Sequence, residues 1–469
     1  MSAPRLSRAA GDAGPAAPVR VVHLGLGNFF RAHQAFYTSA AGDAGDWGIA
    51  AFTGRSRRLA DELTAQDGLY TLIVRGPDRD EYLRPGSVSA ARPGTDVDSW
   101  LDYFRRPAVR IVTLTVTEAG YRRDHEGALD IGDAEVRADV AALRAGRADV
   151  AALRAGRAAA VVTAPGRLVA GLVARRAAAA GPLAVVSCDN VADNGAVTAG
   201  VVADLANLLD PALAAWISGN VSFVTTMVDR ITPRTTPDDV RTVAELTGRT
   251  DAVPVVTEPY HEWVLSGDFP GGRPAWQDGG ARFVADVTPY EQRKLWLLNG
   301  GHSLLAYAGS ARGHDTIAEA VTDPVCLAWL HQWWTEASRQ LPMPASDLAE
   351  YRAGLLHRFA NGRIQHRLAQ IATDGSQKLP TRVLPVLRAE RARGRVPVGA
   401  LRILAAWIGH LRGGGAPVTD SAAATVVEAA TGPLDEAVRR VLAYLDPALA
   451  TDTDLATAVI DLVTQPSPS

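Results

Sequence analysis

Cysteine is nearly absent from this sequence. Only Cys188 and Cys326 occur in 469 residues, so a scaffold held by many disulfides and a zinc site of four cysteines are both excluded. The sequence also lacks HExxH and CxxC, the common zinc-binding motifs. It contains no GxSxG segment and no GxxxxGK[ST] loop, and it therefore gives no support for a serine hydrolase or a kinase.

Long apolar runs and a strong excess of charge of either sign are also lacking. No stretch of about 18 apolar residues runs without a charge, so no membrane span is predicted. The net charge of −3 and the lack of a long basic run argue against nucleic acid as the main partner. Residues 1–18 are rich in Ala, Gly and Pro and lack the apolar segment of a signal peptide. We predict that they form a flexible tail and that the protein is cytoplasmic.

Lysine is scarce among the basic residues. Only Lys294 and Lys378 are lysines among 48 lysines and arginines. Arginine stays protonated, whereas a buried lysine can lose its proton and act as a base. The two lysines that remain in a sequence that otherwise uses arginine are therefore candidates for catalytic residues. Two solvent-exposed lysines without a catalytic role would explain their presence equally well. Asparagine is also scarce, and the same argument applies to it more weakly.

The order of apolar segments predicts an α/β protein. Residues 19–24 are an apolar run that is followed by glycines and a helix-compatible segment, and further β-like runs cover 109–117 and 183–187. Strands that alternate with helices indicate a parallel, doubly wound sheet of the Rossmann type. We place this domain at 19–286. The sequence after it is helical in character, and we expect a mainly α-helical substrate and catalytic domain at 287–465.

Two segments, 138–147 and 148–157, repeat the same ten letters. A unit this short cannot form a solenoid, and we interpret the repeat as a local duplication to which no function is assigned.

An incomplete dinucleotide fingerprint follows the first predicted strand. Gly25 and Gly27 stand at the first two glycine positions of GxGxxG, but Phe30 occupies the third. This turn, with Asn28 and Phe29, is the predicted cofactor site, because such turns let a pyrophosphate approach a helix N-terminus. The acid that usually binds the ribose of NAD is missing after the second predicted strand, where Arg55 stands instead. An arginine here can accept the 2′-phosphate of NADP, or it can simply be solvated.

Three polar residues interrupt an apolar helical segment near the start of the second predicted domain. Lys294, Asn299 and His302 lie close together on a regular helix, with 294, 298 and 302 near one face. A lysine with a lowered pKa can remove the proton of an alcohol, an amide can stabilise the developing charge on its oxygen, and a histidine can orient a neighbouring hydroxyl. The alternative is an exposed lysine and a structural histidine.

Asn190 and Asp229 each follow a β-like run. Ligands of open α/β sheets bind at the carboxyl ends of strands, so both side chains are candidates for substrate contact. Asp and Asn are also common as turn and cap residues, and that alternative stays open for both.

Several ordered motifs resemble the long-chain polyol dehydrogenases of the mannitol dehydrogenase family. They include HLGLGNFFRAHQA, SCDNVADNG, FVADVTPYEQRKLWLLNGGHS and IATDGSQKLP, and the likeness spans roughly residues 20–460. The resemblance implies a zinc-independent, nicotinamide-dependent secondary-alcohol dehydrogenase. It also implies that Lys294 is the catalytic base, that Asn190 and Asn299 bind the oxyanion, and that His302, Asp229 and Lys378 lie on the substrate side. The missing acid leaves the choice between NAD and NADP open.

The resemblance favours a sugar acid as the substrate. An arginine typical of the mannitol branch would stand at Gln370, and the surrounding sequence looks more like that of fructuronate reductases. His366, Arg367 or Lys378 can meet a carboxylate. We therefore expect the D-mannonate/D-fructuronate couple, with mannitol/fructose as the alternative. A catalytically idle, dinucleotide-binding relative is a further hypothesis. The sequence does not distinguish a monomer from a homodimer.

Overall fold

The computed structural model describes residues 3–54, 56–148 and 161–464. Its contacts divide the chain into two units. The first comprises Met1–Arg75 and Arg79–Val287, and the second comprises Gly76–Asp78 and Thr288–Ser469. Most of the second copy of the ten-residue repeat lies outside the described residues, whereas the first copy lies in the helix Ala134–Ala148.

The first unit is built on a mostly parallel sheet. Its strands are β1 Val19–Leu24, β2 Gly48–Phe52, β3 Leu72–Arg75, β4 Asp80–Leu83, β5 Val88–Arg92, β6 Ile111–Leu114, β7 Leu183–Ser187, β8 Val221–Asp229, β9 Val255–Thr257, β10 Glu262–Ser266 and β11 Arg282–Phe283. Eight of them form one sheet in the order β11-β10-β8-β7-β6-β1-β2-β5, and β4-β3-β9 form a second, smaller sheet. From β5 to β8 all neighbours are parallel, whereas β10 runs antiparallel to β8.

The strand order identifies the architecture. The six parallel strands follow the spatial order 3-2-1-4-5-6 of a doubly wound, dinucleotide-binding sheet. Both faces of this sheet are buried. In β1, Val22 packs into the hydrophobic core on one face and Val21 into the core on the other. Near-continuous apolar strands are the pattern expected of a parallel sheet that is covered on both sides.

The helices of the first unit connect and cover these strands. They are Asn28–Ala32, Gln34–Ala40, Arg58–Thr64, Val97–Arg105, Ala134–Ala148, Ala164–Ala177, Asn194–Leu209, Pro211–Asn220 and Pro237–Thr247. Several of these helices begin at a residue whose side chain accepts a hydrogen bond from a backbone amide of the first turn. Asp96 accepts one from the Ser99 amide at 3.1 Å, and Thr236 with Asp239 forms a capping box before the last of these helices.

Several described residues of the segment 1–18, which the sequence predicted as a flexible tail, contact the rest of the first unit. Among the described residues of this segment, Leu6 is 1% exposed and its amide donates to the Thr250 carbonyl oxygen at 3.1 Å. Arg8 donates to the carbonyl oxygen of Gly86 at 2.7 Å and to that of Val88 at 3.2 Å. One apolar side chain and one arginine anchor a segment whose composition suggested mobility.

The second unit is helical in its described part. Its α-helices are Thr288–Arg293, Gly300–Ala311, Ile317–Thr322, Pro324–Ser338, Ala345–Phe359, Leu368–Ile371, Gly375–Arg382, Leu384–Ala392, Val398–Leu411, Ala423–Ala429, Leu434–Leu445, Pro447–Thr451 and Thr453–Thr464. A π-helical segment, Lys294–Asn299, joins the first two. Within the described residues, no helix is long and apolar enough to cross a membrane.

Candidate active site

The glycine turn after β1 lies where the strand order reverses, between β1 and β6. Gly25 has a φ of +115°, which favours glycine. A Cβ atom at Gly25 would lie 2.3 Å from the carbonyl oxygen of Thr115, the residue that follows β6. The close approach of the two chain segments therefore requires glycine here. Gly27 directly precedes the helix Asn28–Ala32. Because glycine has no side chain, no side-chain oxygen at this position accepts a hydrogen bond from the first-turn amides of the helix.

Phe30, at the third fingerprint position, has a structural role. Its ring stacks on His23 with the ring centroids 3.6 Å apart, and both side chains are fully buried. The side chain of Asn28 accepts a hydrogen bond from Arg31 at 2.7 Å, and Phe29 stacks on His33 at 5.0 Å. The turn thus keeps its first two glycines, while an aromatic contact replaces the close helix–strand packing that a third glycine would allow. Arg55 lies outside the described residues.

Asn190 and Asp229 lie at the same edge of the sheet as the glycine turn. Asp229 ends β8, and Asn190 lies three residues after the end of β7. These strands are parallel to β1 through β6 and β7, so their carboxyl ends share one edge. Asn190 is exposed, whereas Asp229 is 5% exposed and lies opposite Glu262 in the register of β8 with β10.

The loop that carries Asn190 is held by buried polar contacts. Asn194 donates to the carbonyl oxygens of Asp189 at 3.1 Å and Thr226 at 2.9 Å, which ties the loop to β8. The Tyr121 hydroxyl donates to the Asp189 carboxylate. Burial raises the pKa of Asp189 to about 6, although the bond from Tyr121 acts in the opposite direction. These contacts fix the backbone on either side of Asn190.

The second unit places Lys294 and Asn299 on the π-helical segment. The Gly300 amide donates to the Leu295 carbonyl oxygen, five residues earlier, which is the bond pattern of a π-helix. Lys294 and Asn299 are half-buried, while Leu298 is 3% exposed. The segment therefore departs from the regular helix that the sequence predicted for 294–302, because its turn holds one residue more than an α-helical turn.

Two tryptophans support the widened turn. The indole nitrogens of Trp333 and Trp334 donate to the carbonyl oxygens of Trp296 and Leu297 at 2.9 and 2.8 Å. A Cβ atom on Gly300 would lie 2.8 Å from the Trp333 ring. A glycine is thus required where the helix resumes, and the indoles satisfy carbonyl groups of the π-helical segment. Such segments are rare in proteins and frequent at functional sites.

His302 is buried in the helix that follows. Its Nε2 atom has no hydrogen-bond partner among the residues that the structure describes. Its ring lies 4.7 Å from Phe359 and 4.9 Å from His366. Burial lowers the pKa of His302 well below its usual value, and His366, Arg358 and Arg382 lower it further. Burial and Arg358 also lower the pKa of His366 to about 4. Both imidazoles are therefore neutral at pH 7.

Arg367 and Lys378 have different surroundings. The Arg367 side chain is 58% exposed and lies 4.0 Å from the Asp315 carboxylate. The Lys378 ammonium donates to the Ile371 carbonyl oxygen at 3.3 Å, to the Thr373 carbonyl oxygen at 2.5 Å and to the Thr373 hydroxyl at 3.1 Å. These bonds use all three donors of a lysine. Burial, and then Arg382, lowers the pKa of Lys378.

Arg382 is a residue that the sequence analysis did not identify. Its guanidinium donates to the Asn299 carbonyl oxygen at 3.3 Å and to the Ser303 hydroxyl at 3.2 Å. Burial lowers the pKa of Arg382 to about 10, so the group remains a cation at neutral pH. It binds the end of the π-helical segment and brings positive charge close to Asn299. Within the described ranges, no group of three or more His, Cys, Asp or Glu side chains could hold a metal ion.

Comparison with known proteins decides the family. The mannitol dehydrogenase Rossmann domain matches residues 19–278, and the mannitol dehydrogenase C-terminal domain matches residues 286–460. The chain belongs to the mannitol dehydrogenase family. D-mannonate oxidoreductase of Escherichia coli (strain K12) is 39% identical over 411 residues, which cover 84% of this chain and 80% of the relative. Mannitol 2-dehydrogenase of Cereibacter sphaeroides is 36% identical over 395 residues, covering 82% and 80%.

A solved structure of the mannitol dehydrogenase family agrees with the fold. Mannitol 2-dehydrogenase of Pseudomonas fluorescens, in a ternary complex with NAD and D-mannitol, has a TM-score of 0.78 and 33% identity over 95% of this chain and 91% of that chain. The predicted family, the Rossmann-type sheet followed by a helical part, and the assignment to the oxidoreductases are confirmed.

Proposed function

We propose that this chain is a zinc-independent, nicotinamide-dependent secondary-alcohol dehydrogenase that interconverts D-mannonate and D-fructuronate. The observation that carries the proposal is the stretch Lys294–His302. It carries an amine and an amide on the π-helical segment Lys294–Asn299. Three residues after Asn299 it carries the buried imidazole of His302, whose Nε2 atom makes no hydrogen bond within the described structure. A buried polar atom without a partner calls for an explanation, and a bound ligand is one that the position of His302 supports.

The first unit has the features needed to hold the cofactor. Gly25 and Gly27 form the turn that leads into the following helix, where doubly wound folds bind a pyrophosphate, and Asn28, Phe29 and Arg55 complete the proposed cofactor site. The bound nicotinamide supplies the hydride acceptor. NAD is the proposed cofactor, by similarity to the Pseudomonas fluorescens enzyme, with NADP as the alternative. In this proposal residues 19–286 are the dinucleotide-binding domain and residues 287–465 are the substrate and catalytic domain.

Side chains of the protein itself are proposed to transfer the proton of the substrate hydroxyl. Lys294, in its neutral form, removes the proton of the substrate hydroxyl. The amides of Asn190 and Asn299 donate to the same oxygen and stabilise its negative charge. His302 is neutral, so its ring can orient an adjacent hydroxyl without adding charge, and Asp229 is proposed to bind the substrate as well.

The charges around His302 favour an acidic substrate. The ionisable groups that lower its pKa are His366, Arg358 and Arg382, and the two arginines bear positive charge. Lys378 also faces Arg382. Clustered positive charge attracts a carboxylate, which a hexuronate has and a polyol lacks. His366 and Arg367 are the proposed carboxylate contacts, and Lys378, whose three donors bond to Ile371 and Thr373 in this structure, is proposed to add positive charge or to exchange one of these bonds for the substrate. The 39% identity to D-mannonate oxidoreductase supports the same substrate.

The alternative substrate pair is mannitol and fructose. It is favoured by the 36% identity to the Cereibacter sphaeroides enzyme and by the likeness to the mannitol-bound structure. Gln370, which stands where the mannitol branch has an arginine, argues against it.

Initial rates of the purified chain test the proposal. D-fructuronate, D-tagaturonate and D-fructose are reduced with NADH and with NADPH, and mannitol is oxidised with the oxidised cofactors. We expect the highest kcat/KM with D-fructuronate. A preference for D-fructose would replace the proposed substrate by mannitol/fructose. Nucleotide binding without turnover on the whole panel would favour an idle relative. A cytoplasmic location and a monomeric or homodimeric state remain predictions, and light scattering after gel filtration tests the latter.

A further inference from the structure

Asp189 holds the loop on both sides of Asn190. It is 9% exposed, and its Oδ1 atom accepts a hydrogen bond from the Val191 amide at 3.1 Å. Its backbone carbonyl oxygen accepts another from the Asn194 side chain at 3.1 Å. The peptide unit before Asn190 and the one after it are therefore both fixed by bonds to the same aspartate.

Tyr121 holds the other carboxylate oxygen of Asp189. Its hydroxyl donates to Oδ2, and it ends the 3₁₀ turn Glu118–Tyr121, which follows β6 along the chain. Tyr121 is itself 1% exposed. Burial and the charge of Asp189 raise the pKa of Tyr121, so its hydroxyl keeps its proton and remains the donor. One buried carboxylate thus joins the segment after β6 to the loop after β7.

Tyr70 is a buried tyrosine of the same unit with a different kind of partner. It is fully buried, and its hydroxyl donates to the Arg31 carbonyl oxygen at 2.6 Å. A backbone carbonyl group does not titrate near neutral pH, so the Tyr70 bond does not depend on pH there. The bond from Tyr121 ends on a group that can gain a proton, so its strength does.

Asp189 can gain that proton close to neutral pH. Burial raises its pKa to about 6, Glu118 raises it as well, and the bond from Tyr121 lowers it. Cys188, the preceding residue, stays neutral because burial raises the pKa of its thiol. Protonation of the carboxylate would replace the charge-assisted bonds from Tyr121 and Val191 by weaker neutral ones. The loop is therefore held most firmly when Asp189 is ionised.

We propose that Tyr121 and Asp189 are positioning residues for Asn190, and that the ionised carboxylate of Asp189 aligns the Asn190 amide with the substrate oxygen. The inference rests on the proposed function, in which this amide stabilises the charge on that oxygen. Neither residue is proposed to touch the substrate. Charge stabilisation depends on a donor that is already in place, so a loosened loop should lower kcat rather than weaken binding.

The pH dependence of kcat for D-fructuronate reduction, measured with saturating NADH between pH 5 and 8, tests the proposal. In this direction Lys294 acts in its protonated form. Burial keeps the pKa of His302 well below its usual value and that of His366 at about 4. We expect kcat to fall about tenfold as the pH drops through about 6, where Asp189 gains its proton. Asp189→Asn should show the low kcat at every pH, because its amide oxygen can still accept from Val191 but carries no charge.

Tyr121→Phe separates positioning from a structural role. It removes the bond that lowers the pKa of Asp189, so the loss of rate should move to higher pH by about one unit. The KM for D-fructuronate and the Kd for NADH should change by less than about threefold. Tyr70→Phe is the control. It loses a comparable buried bond and should leave the pH at which the rate falls where it is in wild type.

Hydrogen exchange of the peptide that contains Asn190 is a readout that needs no turnover. At pH 7 this peptide should exchange faster in Tyr121→Phe and in Asp189→Asn than in wild type, and it should be unchanged in Tyr70→Phe. The proposal is overturned if Asp189→Asn keeps the wild-type pH profile, or if Tyr121→Phe lowers kcat equally at every pH. Unchanged exchange in both variants would overturn it as well. A wild type that reduces none of the sugars would instead refute the proposed function, and the exchange result would then decide alone whether the pair holds the loop.

Discussion

The two units position their candidate site residues in different ways. In the first, Gly25, Asn190 and Asp229 are far apart in sequence and share one edge of a sheet because parallel strands end there. In the second, Lys294 and Asn299 are close in sequence, and a single π-helical segment sets their relative placement. Topology brings the first set together, whereas the local helix geometry arranges the second. A change in backbone should therefore affect the two sets differently.

The largest effect is expected from Lys294. Lys294→Ala should lower kcat by about a thousandfold or more, because it removes the proposed base. Steady-state rates with D-fructuronate measure this, and the dinucleotide affinity, measured separately, should not change.

Lys294→Arg is the matched control for the positive charge. Arginine stays protonated, so this variant should be as slow as Lys294→Ala. Near-wild-type rates for either folded variant would rule out Lys294 as the base.

The second largest effect is expected from a substitution in the glycine turn of the first unit. Gly25→Ala should lower the free energy of unfolding by about 3 kcal/mol, because the new Cβ would collide with the Thr115 carbonyl oxygen and the φ is positive. Gly27→Ala is the control. Its nearest atom would be 3.5 Å away, so it should change stability by less than about 0.5 kcal/mol. Urea unfolding without nucleotide compares them, and equal losses would contradict the steric argument.

Substitution of Gly300, in the second unit, should lower the stability less than substitution of Gly25. Gly300→Ala forces a Cβ against the Trp333 ring and should cost about 2 kcal/mol through overpacking. Gly354, in the helix Ala345–Phe359, has no atom within 4 Å of its would-be Cβ. Gly354→Ala should therefore stabilise the protein by up to about 1 kcal/mol. Thermal unfolding of both variants is the measurement, and a stable Gly300→Ala protein would show that the Trp333 ring can move.

The smallest effect at neutral pH is expected from His23 in the first unit, because its influence on stability appears only as the pH falls. His23 is fully buried, and this burial lowers its pKa to about 3. The unfolded chain therefore binds more protons below pH 6.5, and this histidine's contribution to stability is lost as the pH falls from 6.5 towards 3. His23→Gln should reduce the slope of unfolding free energy against pH by up to about 1.4 kcal/mol per unit.

An exposed histidine is the control for this titration. His125 is 89% exposed, and His125→Gln should leave the slope unchanged. Equal slopes in wild type and His23→Gln would show that His23 is not held neutral by the fold. The measurement is urea unfolding at a series of pH values between 7 and 4.

The sequence was most informative where residue type alone restricts the backbone or the chemistry. Apolar strands and the glycines after β1 predicted the doubly wound sheet, and the scarcity of lysine drew attention to Lys294. The polar segment around it was predicted as regular helix, and the structure shows a π-helical turn instead. A π-helix depends on how Trp333 and Trp334 bond to the carbonyls of a helix 37 residues earlier, and no local pattern encodes that contact.

A buried arginine shows the opposite limit. Arginine is so frequent here that no single one stands out in the sequence, and Arg382 was not predicted. Only the structure shows that Arg382 binds the Asn299 carbonyl oxygen. The anchored segment around Leu6 was missed for a related reason, since one apolar residue among many small ones carries no periodicity.

A π-helical segment holds one residue more than the same turn of α-helix would need. In genetic terms it behaves as a one-codon insertion that has been retained inside a helix. Deleting the codon for Leu298 would let Lys294–Asn299 return to regular α-helix without turning the flanking helices out of register, because the seven α-helical steps then left from Lys294 to His302 span about two turns. The deletion would therefore remove the widened turn around Asn299 while it leaves the helix continuous.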